Sequence, residues 1–314
     1  MVQQQRLISR RRLLRWAAGV GANGVVCRVW ADAAPPSRHT RVIPSTGERV
    51  PIIGMGSWIT FNVAGDKRAL ATRVEVLRRF FAHGGGVIDS SPMYGSSEQV
   101  IGYCLERLHR PRSAFTATKV WTSGRGSGID QMEHSERLWR LAGSKGFDLL
   151  QIHNLVDWKT HLETLVAWKT EGRVRYIGIT TSHGRRHRAL EGALDTGQFD
   201  FVQLTYNILD RQAEQRLLPM ARERNIAVLA NRPFQRAALF RYTRDRRLPD
   251  WASEIDCRNW PQFLLKFVVS HAAVTCAIPA TSKPEHMDEN MEAGVGALPD
   301  AAMRRRMIAH FESL

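Results

Sequence analysis

The sequence predicts an α/β protein, a closed (β/α)8 TIM barrel preceded by an N-terminal β-hairpin. Three observations carry that expectation. Eight short apolar runs follow one another from residue 53 onward, separated by segments with helical periodicity. Each strand–helix unit takes roughly 25–40 residues, as parallel crossover units do. Eight units in about 270 residues suit a closed barrel better than an open sheet. The alternative, an open doubly wound sheet, should show a Gly-x-Gly-x-x-Gly turn after its first strand, and none is present.

The elements follow in order. "TRVIPSTGERVPII" reads as a hairpin turning at Pro44-Ser45-Thr46-Gly47. "IGMG" (53–56) is a short buried strand. The next helix carries Leu70, Val74, Leu77 and Phe81 on one face and stops at glycine. Strands are then expected at 86–89, 114–120, 147–153, 174–180, 199–207, 226–231 and 274–279. Between them, helices are expected over 97–108, 130–143, "WKTHLETLVAWKTEG", "RRHRALEGALDTG", "AEQRLLPMARERN", "WPQFLLKFVVSH" and "KPEHMDENMEAG". Pro219 falls inside one of these and is expected to kink it. The loops 121–130, 154–158 and 232–257 would shape substrate choice.

Composition narrows the class. Of 314 residues, 43% are hydrophobic and 24% charged, as in a globular protein. Outside the N-terminus there is no apolar run of about 18 residues, so no internal membrane span is expected. The formal net charge is +15, and residues 1–38 alone hold seven arginines against one aspartate. A basic field favours a polyanionic small molecule such as a nucleotide. It does not indicate nucleic acid, because the arginines of 184–188 and 241–247 are not interleaved with stacking aromatics. Cys27, Cys104, Cys257 and Cys276 form no C-x-x-C pair, so free thiols and no structural zinc are expected.

Residues 1–33 read as an address. Ser9-Arg10-Arg11-Arg12-Leu13-Leu14-Arg15 resembles the twin-arginine (Tat) export motif. A mildly apolar, Gly- and Ala-rich stretch follows, and Ala31-Asp32-Ala33 is a small-x-small cleavage pattern. The resemblance implies passage through the Tat machinery, a periplasmic location and no stable membrane insertion after cleavage. If the signal is not cleaved, the protein would stay cytoplasmic or anchored at the inner membrane. Residues 34–40 would be a linker and 41–314 the barrel.

In a barrel of this type, active sites sit at the C-terminal ends of the strands. Asp89, Lys119 and His153 stand at or near three consecutive ends, and Tyr94 lies five positions beyond Asp89. Together they can do one kind of chemistry. A phenol has a pKa near ~10 and becomes more acidic beside an ammonium. Lys119 would supply that charge, and Asp89 would keep Lys119 protonated. His153 can orient a carbonyl oxygen.

"VIDSSPMYGSSEQVIG", "FTATKVW", "FDLLQIHN", "PIIGMGSW" and "AIPATSKPEHMDENM" together resemble the signatures of the aldo-keto reductase superfamily, in the right order and spacing. The resemblance covers roughly residues 41–295. It implies a catalytic tetrad of Asp89, Tyr94, Lys119 and His153, with Tyr94 as general acid. It implies NADP(H), with NAD(H) as the other candidate, reducing a small-molecule carbonyl. Gly56, Ser57 and Trp58 would lie near cofactor and substrate. Gln203 would meet the carboxamide, and Glu289 and Asn290 the adenine. The chain departs from the family pattern at three places. Thr180 and Thr181 stand where Ser-Asn is common. Asn231 and Arg232 replace the aromatic that stacks on nicotinamide. Ala280 and His286 occupy usual 2′-phosphate positions, leaving Thr281, Ser282 and Lys283 as contacts. A phosphate held by Lys283 and the helix N-terminus would still favour NADP. The rival functional reading is a nucleotide-holding redox sensor or scaffold with little turnover.

Overall fold

The computed structural model describes residues 38–141 and 146–314. β1 (Thr40–Val42) and β2 (Arg49–Pro51) pair antiparallel, Arg41 opposite Val50. The turn between them closes with Gly47 at φ 78°. The chain then runs through β3 (Met55–Gly56), α1 (Lys67–Ala82), β4 (Val87–Asp89), α2 (Ser97–Arg107) and β5 (Phe115–Val120). It continues through α3 (Arg125–Leu138), β6 (Phe147–Ile152), α4 (Trp158–Thr170), β7 (Val174–Thr180), α5 (His187–Leu194) and β8 (Phe201–Thr205). The last elements are α6 (Leu217–Glu223), β9 (Ala227–Asn231), α7 (Trp260–Val269), β10 (Cys276–Ala277), α8 (Pro284–Glu292) and α9 (Ala301–Glu312).

β3 to β10 form one parallel sheet in which every strand pairs with its neighbours in sequence. Parallel bridges from Ile53 to Ala277 and from Gly56 to Ala280 join the first strand to the last and close it into a barrel. All eight expected barrel strands are present in the expected order.

Strand periodicity sorts side chains between two cores. Ile88, Leu150, Ile177, Val202 and Val228 face outward into the layer of helices. Val87, Phe115, Leu149, Tyr176, Phe201 and Leu229 fill the interior. Ile43 and Val50 of the hairpin join this inner cluster, so the hairpin plugs the end of the barrel where strands begin. Tyr176 Oη reaches back to Thr46 Oγ1 at 2.7 Å and donates to Glu48 at 2.6 Å.

Three elements differ from the sequence reading. α3 starts at Arg125 rather than near residue 130, so much of the expected loop 121–130 is helical. Gly128 tolerates the tight packing there, because a Cβ would lie 2.6 Å from the His161 ring. The helix expected around Pro219 is broken as that proline predicts: it splits at Arg216 (φ -142°) into a 3-10 turn, Gln212–Gln215, and α6, and Pro219 sits in the first turn of α6, where its missing N–H has no intrahelical acceptor. Arg38 to Thr40, expected as linker, belong to the barrel unit: Arg38 bridges to Val295 and Thr40 opens β1. α9 was not anticipated. Its start is capped by Asp300, which accepts from the Met303 N–H at 2.8 Å, and it buries Met307 and Phe311. The Tat-like segment lies outside the described residues.

Candidate active site

The inward-facing positions of β4, β5, β6 and β8 turn from apolar to polar as the strands approach their C-terminal ends. Asp89 closes β4 and is 2% exposed; Lys119, next to last in β5, has no exposed surface. Lys119 Nζ donates to Asp89 Oδ2 at 2.5 Å and to the Ser90 carbonyl at 2.7 Å. The other carboxylate oxygen, Oδ1, accepts from Gln151 Nε2 and from Gln203 Nε2, each at 2.9 Å. Burial pushes the Lys119 pKa down, but the Asp89 carboxylate pushes it up by charge and by hydrogen bond, and the ammonium is held above its ordinary value.

Tyr94 ends a 3-10 turn, Pro92–Tyr94, just beyond β4. Gly95 follows at φ 61°, and a Cβ there would sit 2.4 Å from Asn62 Oδ1. That oxygen in turn accepts from the Ser96 N–H, so glycine is required to turn the chain from the tyrosine into α2. Lys119 Nζ lies 5.2 Å from the centre of the Tyr94 ring. His153, at the end of β6, packs edge-on against that ring, with centroids 5.7 Å apart and an interplanar angle of 87°. The four residues therefore meet at one mouth.

Their protonation follows from position. Burial raises the Tyr94 phenol above its usual value, while Lys119 and Arg232 pull it down. The net direction is opposite to that expected from the sequence, because desolvation outweighs the cations. Tyr94 is thus a neutral O–H beside a charge that stabilises its phenolate. Burial and the Lys119 charge press His153 down to about 2, so its imidazole is neutral.

The expected cofactor residues fall into two groups. Around the mouth, Ser57 Oγ donates within reach of the Asp89 carbonyl (3.0 Å) and Ser90 Oγ (2.8 Å). Gly56 makes the closing bridge, and Trp58 lies under the Arg236 guanidinium at 4.2 Å. Gln203 Oε1 accepts from Thr180 Oγ1 and Asn231 Nδ2, both at 3.4 Å, and Asn231 also donates to the Thr181 carbonyl at 3.0 Å. These amides form a belt under the mouth. The Arg232 and Arg236 side chains make no hydrogen bond or ion pair among the described residues, and burial together with the neighbouring Arg236 charge lowers the Arg232 pKa. The second group runs along the β10–α8 connection. Thr281 Oγ1 accepts from the Lys283 N–H at 3.1 Å. Lys283 precedes α8 without a side-chain cap, so first-turn N–H groups stay free for an anion. His286, Glu289 and Asn290 stand on α8, outside the hydrogen-bond network of the mouth.

Arg73 ties the two groups together. From α1 it donates to the Thr60 carbonyl at 2.5 Å and to the Ser282 carbonyl at 3.0 Å. It was not singled out from the sequence, and neither was Gln151. A signal for Gln151 existed: it is a polar residue in an apolar strand, two positions before His153 and so on the same face. Gly178 makes room for it, because a Cβ there would lie 3.0 Å from the Gln151 side chain.

An ammonium-backed phenol and a neutral imidazole at the C-terminal mouth of a (β/α)8 barrel make a site of acid–base type, able to pass a proton to an oxygen placed between them. The chain belongs to the aldo/keto reductase family, whose profile matches residues 52–307. It is similar to the aldo-keto reductase YhdN of Bacillus subtilis, 25% identical over 202 residues, or 60% of this chain and 59% of that protein. It is also similar to the methylglyoxal reductase YeaE of Escherichia coli, 27% identical over 252 residues, 77% of this chain and 84% of that protein. The match thus spans less than two thirds of YhdN but most of YeaE. Among solved structures, an aldo-keto reductase from Klebsiella pneumoniae in complex with NADPH superposes with a TM-score of 0.72 at 24% identity, covering 88% of this chain and 95% of that one.

Proposed function

We propose that this chain reduces an aldehyde or ketone with NADPH, or oxidises the matching alcohol in reverse, with Tyr94 as the general acid. The observation that carries the reading is the buried Lys119–Asp89 pair facing the Tyr94 ring. When bound, the dinucleotide supplies a hydride for the carbonyl carbon. The chain does the rest. The carbonyl oxygen takes the Tyr94 proton, and the phenolate left behind rests beside the Lys119 ammonium. Asp89 keeps that ammonium charged, and His153 donates a second hydrogen bond to the same oxygen. Glu289 and Asn290, whose side chains make no hydrogen bond among the described residues, are suited to adenine. Lys283, Thr281, Ser282, Arg232 and Arg236 offer donors and positive charge to phosphates, which favours NADP(H) over NAD(H).

Tyr94→Phe tests the reading. With 4-nitrobenzaldehyde, kcat is expected to fall by about 10²–10⁴-fold, the usual range for loss of a general acid. Quenching of tryptophan fluorescence by NADPH should persist in the variant. Undiminished turnover would end the proposal, and a burst of one turnover per wild-type chain would favour the sensor reading instead.

We also propose export by the Tat route to the periplasm, supported by the Ser9 to Arg15 motif and the Ala31-Asp32-Ala33 pattern. A reporter fused after residue 40 should be exported, and Arg10→Lys with Arg11→Lys together should retain it inside. Export of that double variant would show that the motif is not the address.

A further inference from the structure

We propose that Ser91 is a positioning residue that fixes His153 in its Nε2–H tautomer, so that the imidazole meets the substrate oxygen as a donor. The argument is an inventory of hydrogen-bonding capacity. A serine hydroxyl has one proton and two lone pairs. Ser91 has no exposed surface. Its Oγ has two partners within reach: the Met93 N–H, which donates to it at 3.2 Å, and His153 Nδ1 at 2.8 Å. Met93 can only donate. If Nδ1 also carried a proton, both partners would be donors, and the serine proton would be buried with no acceptor. Buried donors are rarely left in that state. The satisfied arrangement has the Ser91 hydroxyl donating to Nδ1. Nδ1 is then the acceptor, and the single proton of a neutral imidazole sits on Nε2.

The surroundings support each step. His153 is 3% exposed and lies near the Lys119 ammonium, conditions that keep it neutral. Nε2 has no partner among the described residues and is not among their buried unpaired polar atoms, so it opens toward the mouth. The ring stands edge-on to Tyr94. One oxygen placed there would receive the Tyr94 O–H and the His153 Nε2–H together. With the opposite tautomer, a lone pair would face that oxygen and repel it. Ser91 is held for this task by its backbone: it caps the 3-10 turn that carries Tyr94, so the same residue places the acid and sets the imidazole.

The role in catalysis rests on the reductase reading; the tautomer does not. The experiment therefore reads both. Protein labelled with 15N-histidine is examined by long-range 1H–15N correlation, with His153 assigned by its loss in His153→Gln. Wild type and Ser91→Thr, which keeps the hydroxyl, should show the Nε2–H form alone. Ser91→Ala should show a substantial Nδ1–H population. In steady-state kinetics Ser91→Ala should lose on the order of tenfold in kcat. That is less than the 10²–10³ of deleting an oxyanion donor outright, because a freed imidazole still samples the productive form. NADPH affinity should not move, and Ser91→Thr should recover most of the loss. An Nδ1–H tautomer in wild type, or identical His153 spectra in wild type and Ser91→Ala, would overturn the proposal. A wild type that turns over no carbonyl would sink the reductase reading while the spectra still decided the tautomer.

Discussion

Lys119 is a lysine without exposed surface that keeps its proton, and His153, facing the same Tyr94 ring, is a histidine that resists gaining one. The Asp89 carboxylate holds the ammonium, and burial, reinforced by that ammonium, excludes a second cation at His153. The second effect has a measurable consequence for stability. His153 titrates near its ordinary 6.5 when unfolded but only at about 2 when folded. Between those values the unfolded state binds the extra proton, so stability falls as pH falls and is fully present only above about 6.5. Urea unfolding of His153→Gln should show a shallower acid dependence than wild type, by about 1.4 kcal/mol per pH unit, the value of one proton. Identical slopes would mean that the imidazole protonates in place.

At the scale of elements, the site depends on how connections are pinned to the barrel. α1 and α8 are clamped by Asp288, which accepts from Arg79 Nη1 at 2.5 Å and meets His83 Nε2 at 3.0 Å. Glu98, buried at the start of α2, accepts from Thr118, from Ser135 Oγ at 2.9 Å and from Trp139 Nε1 at 3.1 Å, tying α2 to β5 and α3. α7 carries the least expected pin. Lys266 has no exposed surface and donates to the carbonyls of Ile255, Val295 and Ala297 at 2.7, 2.8 and 2.9 Å. It thereby fastens the end of the long 232–257 insertion to the segment after α8. Lys266→Met keeps the bulk and removes every donor, leaving three carbonyls short of a partner. The expected loss is about 3–5 kcal/mol, from roughly 1–3 kcal/mol per orphaned group with partial rescue by water. Urea denaturation checks it, and a change below about 1 kcal/mol would show that the insertion is held by other contacts.

Across the whole molecule, the barrel interior is graded. Phe115, Tyr176 and Phe201 pack on one another and on the hairpin at one end, with ring centroids 5.5–6.1 Å apart. Asp89, Lys119, Gln151 and Gln203 form the hydrogen-bonded layer at the other. The apolar end makes a rigid floor, and the polar end can then hold charge away from water at small cost because every group in it has a partner. The net charge of +15 acts at this scale too. A basic chain attracts an anionic dinucleotide over distances that salt screens. Stopped-flow association of NADPH should slow several-fold between about 0.05 and 0.5 M ionic strength, while dissociation changes less. A salt-independent association rate would place the useful charge outside the binding path.

Much of this was legible in the sequence. Apolar runs of strand length, alternating with helical segments, determined eight parallel units and their order. The five-position step from Asp89 to Tyr94, with a lysine and a histidine at the next two strand ends, determined the polar cluster at the mouth. These patterns are local, because side-chain direction in a strand and the exit of a loop follow from a few neighbouring residues. Tertiary structure alone decided the rest. Arg73, Lys266 and Ser91 are ordinary polar letters until the residues that accept or donate to them, up to 209 positions away for Arg73 and Ser282, are brought alongside. The net pKa of Tyr94 turned on how deeply the ring is buried against how near the ammonium lies, and no spacing encodes that balance. Sequence periodicity determines which way a side chain points; only the closed barrel decides what it meets there, because hydrogen bonds and desolvation depend on distances between strands that the chain itself does not measure.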